Sequence, residues 1–454
     1  MGAEGRAPVD QRRLGKGLDM TSLKEGTDTR EILPAKSGRP QGEGEGASAP
    51  WEAESRPEPQ PSPANWPRWE GRKIPSLMPL VFDKKTLVAA LGEVRRNHGV
   101  PGVDGESVEE FSENAEARLQ ELSEALRKHE WHPKPLKRVW IPKPDGSKRG
   151  LAVPCVEDRV VHRAVAKVVY SVFENAFGPD CYAYVKGRSA LDAVQRIQRE
   201  GRSGKGWVFE SDLSKFFDTI PRSRLIDKLA VRIADGSFLK LVRSILRSGV
   251  LGEESGDGAV GVPQGSPLSP ILANVYLADF DRKMGSHHSF VRYADDVVAL
   301  CATEEEARAT EREMGETLWE EGLKLKPEKT HIVRLSEGVE FLGYRITAWK
   351  AEPSTKSVRK FREKIRSMTE RHRTKPLAEV IRQVMPVVRG WSNYFRLAGR
   401  SPVVYSQGGW LITRLKAYET ESMRVRLWER YCPTSKLYGL GLRVPYHIVT
   451  SYEF

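Results

Sequence analysis

Two short runs of β-branched and aromatic residues flank an acidic pair near the middle of the chain. The first run is residues 289–292 (SFVR) and the second is residues 297–300 (VVAL). Neither run has the 3.6-residue period of a helix, so both are predicted to be short buried strands. Asp295 and Asp296 lie between them. The pattern therefore predicts a β-hairpin that carries two carboxylates at its turn, next to the core.

A third apolar run, residues 207–209, ends just before the polar segment ESDLSK. We predict that this strand runs into a turn that presents Asp212. Between the two acidic segments, residues 262–270 (VPQGSPLSP) precede an apolar stretch. Their prolines and glycine predict a rigid loop that opens a helix, with Ser269 as its N-cap and Pro270 as its first residue. Such a loop is suited to lie under a base pair; the alternative is a simple connection between a loop and a helix.

The two acidic segments together indicate a metal site. Burying a carboxylate without a partner costs several kcal/mol, so buried acids usually bind a metal or pair with a base. Nucleotidyl transfer by two metals needs carboxylates from separate segments to hold ions roughly 3.5–4 Å apart. Asp212 and Asp295 would bridge the ions, and Asp296 would complete the cluster. The alternatives are a solvated turn for the Asp-Asp pair and a helix N-cap for Asp212.

Charge and composition divide the rest of the chain. Residues 1–75 are rich in Gly, Pro, Glu and Ser and have almost no apolar period, so we predict that they are disordered. Residues 350–430 contain 19 Lys or Arg against 7 Asp or Glu, an excess as large as the +12 of the whole chain. Within them Val358, Phe361, Ile365 and Met368 recur at helical spacing. This basic helical segment is expected to bind phosphates through counterion release.

Several classes of protein are excluded. The four cysteines are far apart and form no C-x-x-C pair, so neither a disulfide framework nor a zinc site is expected, and the compartment is reducing. No apolar stretch approaches membrane-spanning length, and the N-terminus lacks the apolar core of a signal peptide. No glycine pattern of a Rossmann fold or a P-loop is present.

These segments, in this order, resemble the reverse transcriptases encoded by bacterial group II introns and their close relatives. The resemblance runs from about Asn97 to Leu442. It includes residues 97–105 (NHGVPGVDG), 141–151 (IPKPDGSKRGL), 157–162 (EDRVVH), 184–190 (YVKGRSA), 325–330 (LKPEKT), 341–344 (FLGY) and 389–395 (RGWSNYF).

The resemblance implies an α+β right-hand polymerase with fingers, an antiparallel palm sheet and a helical thumb. The expected parts are a tail (1–75), N-terminal extension and fingers (76–205), palm (206–349), thumb or maturase domain X (350–431) and a short C-terminal segment (432–454). The chain ends soon after the thumb and has no cysteine pair for a His-Asn-His endonuclease module. We therefore expect that it does not nick its own DNA target.

The implied activity is RNA-dependent DNA synthesis, combined with a role as splicing cofactor for an intron RNA. The implied partners are RNA template, intron RNA, DNA primer or target and deoxynucleoside triphosphates, with no membrane. Two Mg²⁺ ions, or Mn²⁺ in their place, are the implied cofactors. The implied location is the bacterial cytoplasm, in association with the nucleoid. The alternatives are a domesticated relative in phage defence or CRISPR spacer acquisition, and an RNA-binding maturase without polymerase activity. The intact acids argue against the last.

Site residues follow from matching positions. Asp212, Asp295 and Asp296 match the metal ligands. Asp145-Gly146 is a strong hairpin signal by itself, and Lys143, Lys148 and Arg149 around it suit an arm that closes over a triphosphate. The remaining matches are Lys148 and Arg149 for the triphosphate, Phe217 for the ring that blocks a 2′-hydroxyl and Gln264 beside the templating pair. Lys329 is a candidate donor to pyrophosphate. The alternatives are a solvated basic turn for Lys148 and Arg149, a plain core position for Phe217 and a solvated side chain for Lys329. Arg359, Arg362, Arg366, Arg389 and Arg396 are candidate RNA contacts. For the neighbouring aromatics Trp391, Tyr394 and Phe395, packing between thumb helices is a simpler explanation than stacking on RNA.

Overall fold

The computed structural model describes residues 71–97, 99–142, 148–252, 260–370, 375–420 and 427–450. The expectation of disorder for residues 1–75 therefore lies mostly outside the described residues. Ile74 is an exception, because it forms a bridge with Ile233 and hydrogen bonds with Arg232 and Ala234. The expected tail thus extends a few residues too far.

A helical layer begins the described chain. It comprises α1 (Met78–Phe82), α2 (Lys84–Arg96), α3 (Val108–Glu113) and α4 (Ala115–Arg127). Helices α1, α2 and α3 pack on α5 (Val156–Phe173), and α4 packs on α1 and α2. The Asp83 carboxylate caps α2 by accepting the Thr86 N–H at 3.0 Å, and Ser107 with Glu110 forms a capping box for α3. Most of α5 is buried, because helices cover it on several sides.

The predicted hairpin near Asp145-Gly146 is present. Strands β1 (Lys137–Pro142) and β2 (Lys148–Val153) pair antiparallel, from Lys137 opposite Val153 to Pro142 opposite Lys148. The turn itself, residues 143–147, lies outside the described residues. The pairing on either side of it confirms the hairpin.

The central sheet has four antiparallel strands in the order β4–β5–β3–β6. They are β3 (Trp207–Asp212), β4 (Ser289–Tyr293), β5 (Asp296–Cys301) and β6 (His331–Arg334). Helix α6 (Ala190–Arg202) covers one face, where Ile197 packs with Val208 and Val298; the other face joins the main core through Phe209 and Ala299. Because both faces are covered, β5 is buried almost throughout and reads in the sequence as an unbroken apolar run.

Helices α7 (Phe216–Thr219), α8 (Arg222–Ala230), α9 (Gly236–Arg247), α10 (Ser269–His287) and α11 (Glu304–Glu320) complete this region. The predicted cap of α10 is wrong by one residue. Leu268 occupies the cap position, and Pro270 is the second helical residue. The Ser269 hydroxyl instead donates to the Pro263 carbonyl at 2.7 Å, so it closes the preceding loop.

The C-terminal part of the fold starts with a small sheet, β7 (Val339–Phe341), β8 (Tyr344–Ile346) and β9 (Ala351–Pro353). The helices α12 (Thr355–Met368), α13 (Leu377–Tyr394), α14 (Pro402–Thr420), α15 (Trp428–Tyr431), α16 (Thr434–Gly439) and α17 (Pro445–Thr450) follow. Within the described residues, single turns of 3₁₀ helix lie at Glu174–Ala176, Pro327–Lys329, Leu335–Glu337 and Arg396–Ala398.

Helices α12 to α17 form a helical unit with its own apolar core. Phe361 and Ile365 of α12 are buried in it, which confirms the predicted helical spacing. Leu437 and Val444 are buried in the same core, so residues 434–450 pack as part of the helical unit. These residues are most of the described part of the short C-terminal segment predicted over 432–454.

Aromatic residues in the last turn of α13 and directly after it join this unit to the small sheet. The rings of Trp391 and Phe361 lie 4.7 Å apart, and Phe395 lies 4.8 Å from Tyr344. For Trp391 and Phe395 the structure thus shows packing, which was the simpler explanation than stacking on RNA.

Antiparallel sheets combined with helices confirm the α+β class. Within the described ranges, no helix is long and apolar enough to cross a bilayer.

Candidate active site

Asp212 and Asp296 face each other across two strands. Strand β3 continues through Asp212, so this residue ends the strand, whereas the sequence predicted a turn after residue 209. In the antiparallel register Asp212 lies directly opposite Asp296, the first residue of β5, and their side chains are hydrogen-bonded. Opposite residues on one face of a sheet lie close enough for direct contact. The fold thus brings together two acids that are 84 positions apart.

Asp295 occupies the turn between β4 and β5. The last strand pair is Tyr293 with Asp296, so Ala294 and Asp295 form a two-residue loop, and Ala294 has a positive φ of 60°. Positive φ is typical of the tight turns that fit the twist of a hairpin. The Asp295 carbonyl accepts the Leu213 N–H at 2.9 Å, which fixes the turn beside the end of β3. The predicted acidic hairpin is confirmed.

The two paired carboxyl groups differ in acidity. Burial, together with the hydrogen bond to Asp212 and the charges of Asp212 and Asp295, raises the pKa of Asp296 to about 8. Burial also acts to raise the pKa of Asp212, but the hydrogen bond from Asp296 and the Lys329 ammonium outweigh it and lower that pKa below 3.8. Two carboxylates in contact cannot both ionise freely, so the pair shares one proton near neutral pH.

Lys329 is the cation of this site. It ends the 3₁₀ turn after α11, and its ammonium forms an ion pair with the Asp212 carboxylate. The Lys326 N–H donates to the Asp212 carbonyl at 2.9 Å and holds the turn against β3. The structure therefore places Lys329, a candidate from sequence matching, next to the acids.

Arg292 is the residue that sequence analysis missed. It is 0% exposed, and its guanidinium donates to both oxygens of Asp281, the shorter of two bonds at 2.5 Å. It also donates to the Ala294 carbonyl at 3.0 Å and to the Asn274 side chain at 3.2 Å. Because Asp281 and Asn274 belong to α10, this cation ties the acidic turn to the core helix. The available signal was a lone arginine in an otherwise apolar strand.

The donor set suits a hard divalent cation. Within the part of the chain that the structure describes, no three His, Cys, Asp or Glu side chains already converge as a metal site. Instead, Lys329 forms an ion pair with Asp212, and the raised pKa of Asp296 favours its protonated form. Carboxylate oxygens are the ligands that Mg²⁺ prefers, and a cation between these groups would replace the shared proton. The residues present therefore fit the implied metal in kind.

The residues matched to nucleotide contacts lie on β2 and on the loop before α10. Lys148 is the exposed first residue of β2. Arg149 follows it opposite Ile141, but its side chain and all of Lys143 lie outside the described residues. The Gln264 carbonyl accepts the Ala152 N–H at 2.7 Å, and its side-chain amide donates to Asp218 at 2.9 Å. The loop is thus hydrogen-bonded to strand β2.

Gly265 makes that contact possible. Its φ is +124°, and a Cβ at this position would lie 2.7 Å from the Ala152 carbonyl oxygen. Only glycine combines this backbone conformation with so close an approach.

Phe217 lies at the edge of the core. Its ring is 5.2 Å from that of Phe216 in α7, and its carbonyl accepts the Val262 N–H at 2.7 Å. Phe216 is 2% exposed and fills the core, whereas Phe217 is half-buried. Of the two neighbouring rings, Phe217 is therefore the one that can meet a substrate.

The candidate RNA contacts of the thumb do not form one uniform face. Arg359 and Arg389 are exposed. Arg362 donates to the Gln407 side chain at 2.8 Å, and its guanidinium lies 5.3 Å from the centre of the Trp410 ring; Arg366 lies 5.6 Å from the same ring. Arg396 is half-buried in the last 3₁₀ turn. Arg362 thus binds two helices together rather than facing solvent freely.

Comparison with protein families gives two matches. A model for reverse transcriptase (RNA-dependent DNA polymerase) matches residues 141–346, which include all three acids. A model for the group II intron maturase-specific domain matches residues 358–429, within the helical unit.

Individual relatives agree with these matches. YkfC of Escherichia coli K12 is 28% identical over 319 residues, which is 60% of this chain and 83% of that protein. A putative COX1/OXI3 intron 1 protein of Saccharomyces cerevisiae is 25% identical over 74% of this chain and 45% of its own length. The group II intron-encoded protein LtrA of Lactococcus lactis is 30% identical over 40% of this chain and 30% of its own. The chain thus spans less than half the length of the last two.

A solved structure of a partial Cas6-RT-Cas1–Cas2 complex matches 54% of this chain and 41% of that chain, with 26% identity and a TM-score of 0.33. An overlap this low supports no argument by itself. The assignment rests on the two domain matches. The reverse transcriptase match contains the three acids, and the maturase-specific match follows it in the basic helices. The chain thus combines a reverse transcriptase domain with a group II intron maturase-specific domain, and a group II intron-encoded protein is among its relatives.

Proposed function

We propose that this chain is an RNA-dependent DNA polymerase that also binds an intron RNA and assists its splicing. The observation that carries the polymerase part is the contact between Asp212 and Asp296, with the Asp295 turn fixed beside them. Placing three carboxylates at one end of a sheet is costly unless a divalent cation neutralises them.

In this proposal Asp212, Asp295 and Asp296 hold Mg²⁺, or Mn²⁺ in its place. When bound, the metal supplies charge that favours ionisation of a primer 3′-hydroxyl and stabilises the departing pyrophosphate. Asp296 gives up the proton that it shares with Asp212. Lys329 then exchanges part of its contact with Asp212 for the phosphates of the nucleotide. Arg292 keeps the Asp295 turn in place throughout, because it is anchored in α10.

The other residues select and orient the substrates. Lys148 and Arg149 on β2 contact the triphosphate, and Phe217 leaves no room for a 2′-hydroxyl. Gln264 lies beside the templating pair, on a loop that β2 and Asp218 hold rigid. The division into fingers (76–205), palm (206–349) and thumb (350–431) is part of the same proposal.

The splicing role rests on charge and on the maturase-specific match. The excess of 12 positive charges over residues 350–430 supplies phosphate affinity that does not depend on sequence. That match favours an intron RNA partner over a domesticated role in phage defence or spacer acquisition.

Primer extension on an RNA template tests the polymerase. The wild-type chain should extend a DNA primer with Mg²⁺, and Asp295→Asn, which keeps the side chain's size, should lower the rate by orders of magnitude without weakening RNA binding. Asp227→Asn is the matched control, because Asp227 is an exposed aspartate of α8. Equal rates for Asp295→Asn and wild type would rule out the metal assignment. An inactive wild type that still binds and splices intron RNA would indicate a maturase without polymerase activity.

A further inference from the structure

Three buried polar atoms on and beside α5 have no hydrogen-bond partner among the residues that the structure describes. They are the indole Nε1 of Trp131, the carboxylate Oδ1 of Asp158 and the imidazole Nε2 of His162. Trp131 is 8% exposed, and Asp158 and His162 are 0% exposed. Buried polar atoms in folded proteins are nearly always paired, so three of them together call for a common partner.

The three side chains lie on one side of α5. Asp158 and His162 are four residues apart in the helix, so their side chains are neighbours on the same face. The Trp131 ring meets the His162 ring edge-on, with the ring centres 6.5 Å apart. The Lys134 N–H donates to the other Asp158 oxygen, Oδ2, at 3.0 Å, so residues 131–134 run along this face. The unpaired atoms therefore belong to one buried site between that segment and the helix.

The chemistry of the three atoms selects water as the partner. The indole N–H of Trp131 can only donate, whereas every ligand of a metal ion must offer a lone pair. A single water can accept from the two ring nitrogens and donate to the Asp158 oxygen. That gives it three hydrogen bonds, the usual number for a buried water.

The other ring nitrogen of His162 faces the loop before α10. Its Nδ1 lies 3.0 Å from the Ser266 hydroxyl. That hydroxyl accepts the Leu268 N–H at 3.2 Å, so its own hydrogen is available to Nδ1. Burial lowers the pKa of His162 to about 3, so the ring is neutral and carries one proton. With Nδ1 accepting from Ser266, this proton is on Nε2, where it can be donated to the water.

The group is not suited to attack a substrate. A serine bonded to a histidine, with an aspartate nearby, is the arrangement that hydrolases use for nucleophilic catalysis. Here Ser266 is 4% exposed and its hydroxyl is held by the loop backbone, so no substrate reaches it. The bond between His162 and Ser266 therefore supports the loop from inside the protein.

We infer that Trp131, Asp158 and His162 bind one buried water, and that this water fixes His162 in the orientation that holds the Gln264 loop through Ser266. His162 is thus a positioning residue for the templating pair, a role that rests on the proposed polymerase function. The water keeps the ring from rotating and keeps its proton on Nε2.

The loop is then fastened at two places. The Ala152 N–H of β2 donates to the Gln264 carbonyl at 2.7 Å, and His162 of α5 bonds Ser266 two residues further on. Loss of the second fastening should let Gln264 move relative to the templating pair. The acidic site lies on β3 and β5 and should not be affected.

Single-nucleotide incorporation by His162 variants tests the support of the loop. His162→Phe keeps the shape of the ring without its nitrogens and should raise the KM for the correctly paired deoxynucleotide about three- to tenfold, with little change in kcat. His162→Asn places an amide near the position of Nδ1 and should restore KM. His162→Gln places its amide near the position of Nε2 and should not. An unchanged KM in His162→Phe, or equal KM values for the Asn and Gln variants, would contradict the inference.

Ser266→Ala and Ser171→Ala form a matched pair. Ser266→Ala should reproduce the higher KM of His162→Phe, and the double variant should be no worse than either, because both changes remove the same bond. Ser171 is also a buried serine, but its hydroxyl donates to the Val168 carbonyl within α5 at 2.8 Å. Ser171→Ala should leave KM unchanged. A higher KM in Ser171→Ala would assign the effect to general loosening of the helix.

Two measurements on the full-length chain need no polymerase activity. A crystal structure should show a water within about 3.2 Å of Trp131 Nε1, Asp158 Oδ1 and His162 Nε2. In urea, the stability losses of His162→Phe and Ser266→Ala should add to clearly more than the loss of the double variant. A dry site or full additivity would overturn the inference even in an active enzyme. A wild-type chain that incorporates no nucleotide would contradict the proposed function, while these two measurements would still decide the inference.

Discussion

Asp212 and Asp296, which lie directly opposite each other on β3 and β5, share a hydrogen bond between their carboxyl groups. Burial and this contact raise the pKa of Asp296 from 3.8 to about 8, which favours its protonated form near neutral pH in the folded chain but not in the unfolded chain. The pair itself joins β3 and β5. The 3₁₀ turn that carries Lys329 and the hairpin turn that carries Asp295 flank it.

The first prediction concerns stability and pH. The pKa of Asp296 is raised from 3.8 to about 8, so between these values the folded state binds more protons and loses stability as pH rises. Asp296→Asn should therefore raise the free energy of unfolding more at pH 8 than at pH 5. Urea unfolding in EDTA at both pH values measures this. Burial raises the pKa of Asp158, Asp180 and Glu210 as well, so only the difference from wild type is diagnostic.

The same shared proton predicts a linkage with metal. Because a cation must displace it, the apparent affinity for Mg²⁺ should rise with pH up to about 8 in the wild type and vary less in Asp296→Asn. Titration calorimetry in buffers of different ionisation enthalpy would detect the released proton. Identical pH curves for variant and wild type would contradict the pairing of the two acids.

A second prediction concerns Arg292. Arg292→Met leaves Asp281 charged and buried without its partner, which should cost about 3–5 kcal/mol of unfolding free energy. The double variant Arg292→Met with Asp281→Leu should recover much of that stability. It should not recover primer extension, because the Ala294 carbonyl in the acidic turn still lacks its donor. Full recovery of both properties would show that Arg292 only stabilises the fold.

A third prediction concerns sugar selection. Phe217→Ala should admit ribonucleotides while deoxynucleotide incorporation continues, because the half-buried ring borders the core instead of filling it. Phe216→Ala is the control. That ring is fully within the core, so its loss should cost about 3–5 kcal/mol and leave selectivity unchanged. Single-nucleotide incorporation with each triphosphate, beside thermal unfolding, separates the two effects. Unfolding of Phe217→Ala with loss of both activities would assign it to packing.

A fourth prediction separates the thumb arginines. Arg359→Gln and Arg389→Gln change exposed cations and should weaken RNA binding, with a flatter salt dependence of about 0.7 log units per lost single-strand phosphate contact. Arg362→Gln should mainly lower thermal stability, because it breaks the bond to Gln407 and the contact with Trp410. Fluorescence titrations at several salt concentrations measure the slopes. A loss of turnover at unchanged RNA affinity would mean that these residues position the thumb.

Local pattern alone determined much of this protein. Residues 289–300 read as a hairpin because β-branched residues flank two acids, and the fold has that hairpin. The spacing of Phe361 and Ile365 predicted α12, since one face of a helix must be apolar to join a core. Short-range signals of this kind depend only on neighbours in the chain. The start of α10 was predicted one residue too late. The Ser269 hydroxyl does not cap the helix, because it donates to the Pro263 carbonyl in the preceding loop.

Only the tertiary structure decided how distant residues act on one another. No spacing in the sequence reveals that Asp212 meets Asp296, because that depends on the register of two strands 84 positions apart in the chain. The role of Arg292 was hidden for the same reason, since its partner Asp281 is identified by how α10 packs and not by sequence distance. Trp140 and Gly150 likewise lie opposite each other only because β1 and β2 pair in this register. The pKa of a carboxyl group is set by burial and by nearby charges, and both exist only once the chain has folded.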